Sequence, residues 1–367
     1  MIKNKAELVM DVINRKNTTY LPSQITFANL EKKMECANYI GIKTEDEYDE
    51  YLGNHYKFTF QLDDVAGNGS EDKERIQIGL DNGYIFEGET PGHILDRWGL
   101  EYDLNAPTYF NYGHPLNGIV DNPEILDTFK APELKDLDLM FAGPVEDLEK
   151  YSDEMLVVLS GYNGIWEKSY ELAEIQEFLV LLYQDPDIAG RLMDIVTDYK
   201  VEIAKETVKR GFKIGHHGDD LGTQENTMFS EELFTEHILP RLTRLFKVYK
   251  DAGIPVQMHT CGYIIPFIPY LIEAGVNILE PIQPTMDIKY LKKEFGKDLI
   301  FYGGIDTQEL LTFKSPTEVR EQTLRTIEIL GKDGGYIVAP SQEVMNNVPA
   351  ENVDALVKTI REVRGEH

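Results

Sequence analysis

From about residue 135 onward the chain alternates short β-branched or aromatic runs with longer helical stretches, and this rhythm limits the fold more than any other feature. Leu156-Val-Val-Leu159 precedes a helical region reaching Arg210. Phe212-Lys-Ile214 precedes a helix near 231–251, and Val256-Gln-Met258 one near 264–274. Val276-Asn-Ile-Leu279 leads to a helix over 287–295, Leu299-Ile-Phe-Tyr302 to 316–330, and Gly335-Tyr-Ile-Val338 to 350–364. The helix limits carry their own signals. Ser315-Pro-Thr-Glu318 is a capping box with proline at the first helical position, and Gly331 stands where a C-terminal glycine belongs. Six strand–helix units in series predict a parallel sheet. Extended runs at Thr18–Phe27 and Tyr56–Leu62 raise the strand count to eight. The expected fold is therefore α/β, a (β/α)8 TIM barrel. An open doubly wound sheet is less consistent, because no Gly-rich nucleotide fingerprint follows any strand.

The first third is read as an elaboration of that barrel. The first 15 or so residues form a short amphipathic helix with Leu8, Val9, Val12 and Ile13 on one side, and the acidic stretch 44–53 is a second helix. Ile76-Gln-Ile-Gly-Leu80, Asp81-Asn-Gly83 and Tyr84-Ile-Phe86 read as a β-hairpin. The Pro-, Gly-, Asn- and Tyr-rich segment that follows reads as a lid. The expected organisation is one barrel domain over 1–367 with an N-terminal elaboration and 65–135 as an inserted hairpin or lid.

Charge narrows the partners. Lys plus Arg is 36 against 64 Asp plus Glu, a net −28. Nucleic acid and anionic membrane surfaces need a basic face and are excluded as main partners. Two cysteines make no disulfide framework, which points to a reducing compartment. The N-terminal stretch lacks the apolar core of a signal peptide, and no run reaches the ~20 apolar residues of a membrane span. A cytoplasmic protein is expected, and a homodimer is allowed.

In a barrel, chemistry sits where strands end. Here those positions read Gln24, Asp63-Asp64, Ser160-Gly161-Tyr162, His216-His217-Gly218-Asp219-Asp220, His259-Thr-Cys261-Gly262, Glu280, Gly303-Gly304-Ile-Asp306 and Ser341-Gln342-Glu343. So many polar groups at one rim point to an enzyme. His259 and Cys261, two apart on extended chain, face the same way and suit Zn²⁺. Alone, the pair fits equally a buried cysteine beside a hydrogen-bonded histidine. Glu280 at the next strand tip favours the metal reading. The His216–Asp220 segment fits a ligand set, a substrate-contacting group or a hydrogen-bonded rim. Asp63-Asp64 offers acid/base groups or a solvated turn. Cys36 is expected to pack on a helix face. Tyr302-Gly303-Gly304 allows close approach to a ligand or a tight strand exit, and Tyr109-Phe-Asn-Tyr112 an aromatic cover or loop packing.

The run from Trp98-Gly99 to Asn352 resembles the uroporphyrinogen decarboxylase superfamily, including its corrinoid-linked methyltransferase branch. The matching pieces are Asp219-Asp220-Leu-Gly222, His259-Thr-Cys261-Gly262, Ile268-Pro-Tyr-Leu-Ile-Glu-Ala-Gly-Val276, Pro281-Ile-Gln283-Pro284, Gly303-Gly304-Ile-Asp306, Gly334-Gly-Tyr-Ile-Val-Ala-Pro340 and Pro349-Ala-Glu-Asn352. The resemblance implies a (β/α)8 barrel. The decarboxylases carry an Arg-rich first loop for a polycarboxylate substrate. Here that stretch is Ser23-Gln-Ile-Thr-Phe-Ala28, and Arg15 is the only arginine before residue 75. An acidic chain without that clamp is a poor host for an octa-anion.

The methyltransferase branch is the closer likeness. Its thiol-alkylating members hold zinc with His-x-Cys and a later cysteine, and the later position falls at Gln342. The related cobalamin-independent methionine synthases add a glutamate where Glu280 stands. The resemblance thus implies Zn²⁺ at His259, Cys261 and Glu280, with His216, Gln283, Tyr302 and Gln342 contacting substrate. Asp219, Asp220 and Asp63 would handle protons. A carboxylate in place of one sulfur makes the metal a stronger Lewis acid, suited to an ether oxygen. The expected activity is methyl transfer from a small O-methylated compound, a phenyl methyl ether, to the cob(I)alamin of a separate corrinoid protein. The chain has no Asp-x-His-x-x-Gly corrinoid signature of its own. A tetrapyrrole decarboxylase, a methylcobamide:thiol methyltransferase and a non-catalytic binding paralogue are the alternatives.

Overall fold

The computed structural model describes residues 4–16, 19–65, 73–104 and 111–366. Its strands are β1 Tyr56–Thr59, β2 Ile85–Glu87, β3 His93–Asp96, β4 Glu101–Asp103, β5 Asn111–Gly113 and β6 Leu156–Leu159. The remainder are β7 Gly215–Gly218, β8 Val256–His259, β9 Val276–Ile282, β10 Ile300–Ile305 and β11 Tyr336–Pro340. Strands β7 to β11 form one parallel sheet in chain order, and β1 pairs with β6 in parallel. Three links carry the sheet round. Gly218 N–H donates to Gly161 O at 2.9 Å, His55 N–H to Ser23 O at 3.2 Å, and Gln24 N–H to Val338 O at 2.9 Å. The extended segment at Ser23 thus supplies the first strand position and β11 the last, in the (β/α)8 barrel expected from the alternation.

Side-chain alternation sorts two cores. Tyr56, Leu156, Val158, Ile214, Ile278, Ile300, Tyr302, Ile337 and Ala339 fill the barrel interior. Their neighbours Val157, Leu159, Leu279, Phe301, Tyr336 and Val338 face the helical layer. The helix Lys5–Ile13 starts on an Asn4–Glu7 capping box and puts Val9 and Ile13 into the interior cluster. Each buried aliphatic there contributes roughly 2 kcal/mol. Advancing two residues along the inward positions replaces apolar groups with Ser160, His216, Glu280 and Ser341. The barrel's hydrophobic floor therefore gives way to a polar layer at the strand ends.

Three sequence expectations change. Residues 76–80 are helical, within Lys73–Asp81. Ile76 and Leu80 are one turn apart, so their alternation with Ile78 also satisfies a helix, and Gly83 at φ +71° follows its end rather than turning a hairpin. The antiparallel pairing lies further on, where β2, β3, β4 and β5 make a four-stranded sheet in that order. The fourth barrel strand is Gly215–Gly218 instead of 212–214, so His216 and His217 belong to the strand itself, buried on both faces. Strand β1 stops at Thr59, and Asp63 lies in a turn. The Ser315–Glu318 capping box is present, with Pro316 at the first turn, and Cys36 is buried on the helix Leu30–Tyr39. No described helix is long and apolar enough to cross a membrane.

Candidate functional site

Two turns bring the site together. Gly262 has φ +88°, and a Cβ there would meet the Gly222 backbone carbon at 2.3 Å. Only glycine lets the loop after β7 and the turn after β8 touch. Asp220 is thereby held beside Cys261, whose N–H donates to Asp220 Oδ1 at 2.8 Å. On the other side Gly161 packs under His216, where a Cβ would meet the carbonyl oxygen at 2.0 Å.

Asp220, His259 and Cys261 each offer one ligand atom, all within 4.8 Å of one another, and none of the three residues is buried out of reach. The Cys261 sulfur is 3.5 Å from His259 Nε2, and Asp220 Oδ1 is 3.8 Å from the same nitrogen. Ligands at zinc distances stand about 3.5 Å apart along a tetrahedral edge, so this thiol, imidazole and carboxylate fit that ion. Gln283 bridges the turn. Its Oε1 accepts from Gly262 N–H at 2.7 Å, and its Nε2 lies 3.5 Å from the Cys261 sulfur.

Glu280 occupies a different place from the one its strand position suggested. Its Oε1 is 3.6 Å from His259 Nδ1, on the ring edge away from the thiol, and its Oε2 is 3.6 Å from His216 Nε2. Gln257 also donates to it. His216 Nδ1 accepts from Gly161 N–H at 3.0 Å, so the ring proton sits on Nε2 and faces Glu280. Burial would raise the Glu280 carboxyl, but the contacts from the two histidines outweigh it and hold the carboxyl well below the usual range. Burial pushes the Cys261 thiol up, so a neighbouring cation is needed to ionise it.

The remaining expected residues separate. Asp219 is fully buried and accepts from Ile165 N–H and Glu167 N–H at 2.9 Å each and from His217 Nε2 at 2.7 Å. It anchors the start of the helix Ile165–Ala173. Asp63 accepts the Tyr199 hydroxyl at 2.8 Å, and burial raises its carboxyl. Tyr302 lies in the barrel interior, its ring 5.8 Å from that of Tyr56. Gln342 is exposed, with its Oε1 accepting from Glu343 N–H at 3.1 Å. Tyr109 and Phe110, and the side chains of Asn111 and Tyr112, lie outside the described residues.

Sequence reasoning set Tyr162 at a strand end without a role and missed two further contributors, Glu167 and Lys200. The Tyr162 ring stands edge-on to both His216 and His259, 4.9 Å from each. Burial, then the Asp220 and Asp219 charges, pushes the Glu167 carboxyl well above its usual range. Lys200 sits on the inner stripe of the helix Pro186–Lys209, four residues from buried Val196 and Ala204. A lysine on a buried stripe was the available signal.

A model of the family described as uroporphyrinogen decarboxylase (URO-D) matches residues 126–363. The chain is 25% identical over 220 residues to a methylated-thiol–coenzyme M methyltransferase of Methanosarcina mazei, covering 60% of this chain and 57% of that enzyme. The chain thus spans less than two thirds of the length of that relative. It is 20% identical over 244 residues to the uroporphyrinogen decarboxylase of Saccharophagus degradans, covering 61% of this chain and 67% of the enzyme. A solved methyltransferase structure from Methanosarcina mazei superposes with a TM-score of 0.70 over 99% of this chain and 100% of that one, at 16% identity. That likeness bears on the fold.

Proposed function

The chain belongs to the uroporphyrinogen decarboxylase family, and on that premise we propose that it is a methyltransferase whose zinc is held by His259, Cys261 and Asp220. The observation that carries this reading is the thiol, imidazole and carboxylate gathered at the strand ends. Glu280 then serves from behind, orienting His259 through Nδ1 and leaving Nε2 for the ion. When bound, zinc supplies a Lewis acid for the oxygen or sulfur that gives up the methyl group. Tyr162 walls the cluster against His216 and His259.

The donor is a small O-methylated aromatic and the acceptor is the reduced corrinoid of a separate protein. The acceptor's electron pair forms the new bond to the methyl carbon. The carbon–oxygen bond breaks with its electrons left on oxygen, which then takes a proton. Of the three aspartates expected to handle protons, Asp219 is engaged at the helix start, Asp220 accepts from Cys261 N–H and Asp63 accepts the Tyr199 hydroxyl, so the proton comes from solvent. The reading places this single-barrel chain, with 65–135 as its lid, in the cytoplasm.

A decarboxylase of porphyrinogens is less well supported. Gln24 stands where that reaction's arginine clamp would begin, and its Oε1 accepts from Tyr56 N–H at 3.0 Å. The deciding experiment supplies a reduced corrinoid protein with methoxylated aromatics, methyl thiols or methylamines and follows the corrinoid spectrum. Methylation from the aromatics supports the proposal. Methylation only from thiols or amines removes the ether assignment, and none from any donor favours a binding protein.

A further inference from the structure

A cavity beside the thiol cluster is lined by hydrogen-bond donors that lack acceptors. It lies among Gln61 and Asp63 past the end of β1, Ser160 to Asn163 past β6, the β7 histidines and the helix Pro186–Lys209. Among the described residues, the amide Nε2 of Gln61 and the hydroxyl of Ser160 have no hydrogen-bond partner, although these side chains belong to residues only 9% and 8% exposed. The Lys200 ammonium has one, the Tyr162 carbonyl at 3.3 Å, and no carboxylate at ion-pair distance. Leaving such donors dry and unmatched is unfavourable. Burial, then the nearby Lys168 charge, lowers the proton affinity of Lys200 by more than the Asp64, Asp219 and Glu171 charges raise it, and an anion set against the ammonium would raise it further.

Two of the cavity's own acids, Asp63 and Asp96, are engaged by other groups. Asp63 takes the Tyr199 hydroxyl. Asp96 accepts from Trp98 N–H, Leu100 N–H and the Tyr102 hydroxyl, and stands 3.9 Å from Lys168. Asp64 also lines the space, and its charge partly offsets the effect of burial on Lys200. Rings also line it, among them Trp98, Tyr102, Tyr162 and Tyr199. Flat apolar faces beside a cluster of donors suit a planar ring bearing an anionic oxygen group. Tyr162 joins this space to the thiol cluster, since its carbonyl holds Lys200 and its ring abuts His259.

We propose that this cavity binds the carboxylate of an aromatic methyl donor, with Lys200, Gln61 and Ser160 as its receptors. The substrate class is then methoxylated aromatic acids, not neutral methoxyarenes. The methoxy end of this assignment rests on the methyl-transfer reading. The carboxylate receptor rests on the cavity alone.

Isothermal titration of the full chain with benzoate, 4-methoxybenzoate and methoxybenzene tests it. Both acids bind, and methoxybenzene binds roughly tenfold or more weakly, the size of one charge-assisted hydrogen bond. Lys200→Met removes this preference and Lys200→Arg retains part of it. Should Lys200→Met fail to fold, Ser160→Ala and Gln61→Leu each weaken benzoate severalfold. Equal binding of acid and neutral ether, a preference unchanged in the variants, or no binding of any probe overturns the proposal. Lys200-dependent benzoate binding without methyl transfer from any donor leaves the receptor standing and removes the methyl-transfer reading. Transfer from methoxybenzene as fast as from the acid does the reverse.

Discussion

Glu280 Oε1 meets His259 Nδ1 at 3.6 Å, on the ring edge opposite the one that faces the Cys261 sulfur. A carboxylate facing Nδ1 favours the proton on that nitrogen and leaves Nε2 for the ion. Glu280→Gln keeps the side chain's shape and removes the charge. It should retain zinc while methyl transfer falls roughly 10–100-fold, the usual size for a group behind a metal ligand. Zinc content and rate are measured together, and zinc retained at full rate would discard this account of Glu280.

Purified protein should hold one zinc per chain. Cys261→Ala and Asp220→Asn should each lower its occupancy after dialysis against a weak chelator, Cys261→Ala the more. The donor atoms share a site only 4.8 Å across, so removing either leaves two ligands. Elemental analysis decides the matter, and full occupancy in Cys261→Ala would refute the ligand set.

Asp219→Ala should destabilise without any effect through the metal. The carboxylate satisfies two backbone N–H groups at the start of a helix and the His217 ring, all buried. Losing it costs about 3 kcal/mol. Thermal unfolding of the zinc-free protein reads this directly, and a melting temperature equal to the parent's would contradict it.

Acid should weaken the fold through His55. Burial, helped by the Arg364 charge, lowers its pKa from 6.5 to about 3. Below pH 6.5 the unfolded chain therefore binds a proton that the folded chain refuses. The stability involved is complete above about pH 6.5 and drains away as pH falls toward about 3. At pH 5 the loss from this group is about 2 kcal/mol. His55→Gln should flatten the dependence of melting temperature on pH between 5 and 7, and an unchanged slope would exclude His55 as its source.

No coproporphyrinogen should form from uroporphyrinogen. Gln24 replaces the clamp, and its side chain is turned to the Tyr56 backbone. Turnover at an ordinary enzyme rate would return the chain to the decarboxylases.

How much was legible depended on whether backbone periodicity or side-chain direction was at stake. The run Leu156–Leu159 announces a strand because it is apolar on both faces. Gly215–Gly218 does not, since glycine and histidine carry no strand pattern, and its burial comes from neighbours. The spacing of His259 and Cys261 could be read because residues two apart share a face. The choice between Asp220 and Glu280 could not, because it depends on a loop held by Gly222 against Gly262. Lys200 was hidden for the opposite reason, inside a helix whose polar positions usually face water.

The seam between the Ser23 segment and β11 also bears on biosynthesis. On the ribosome the first strand emerges long before its last neighbour exists. Until β11 clears the exit tunnel, one edge of that strand has no partner in the ring and the floor beneath the site stays open on that side. The late strands therefore govern when the barrel closes. A nascent chain arrested before residue 336 should remain a substrate for chaperones and proteases, however much of its helical layer has already condensed.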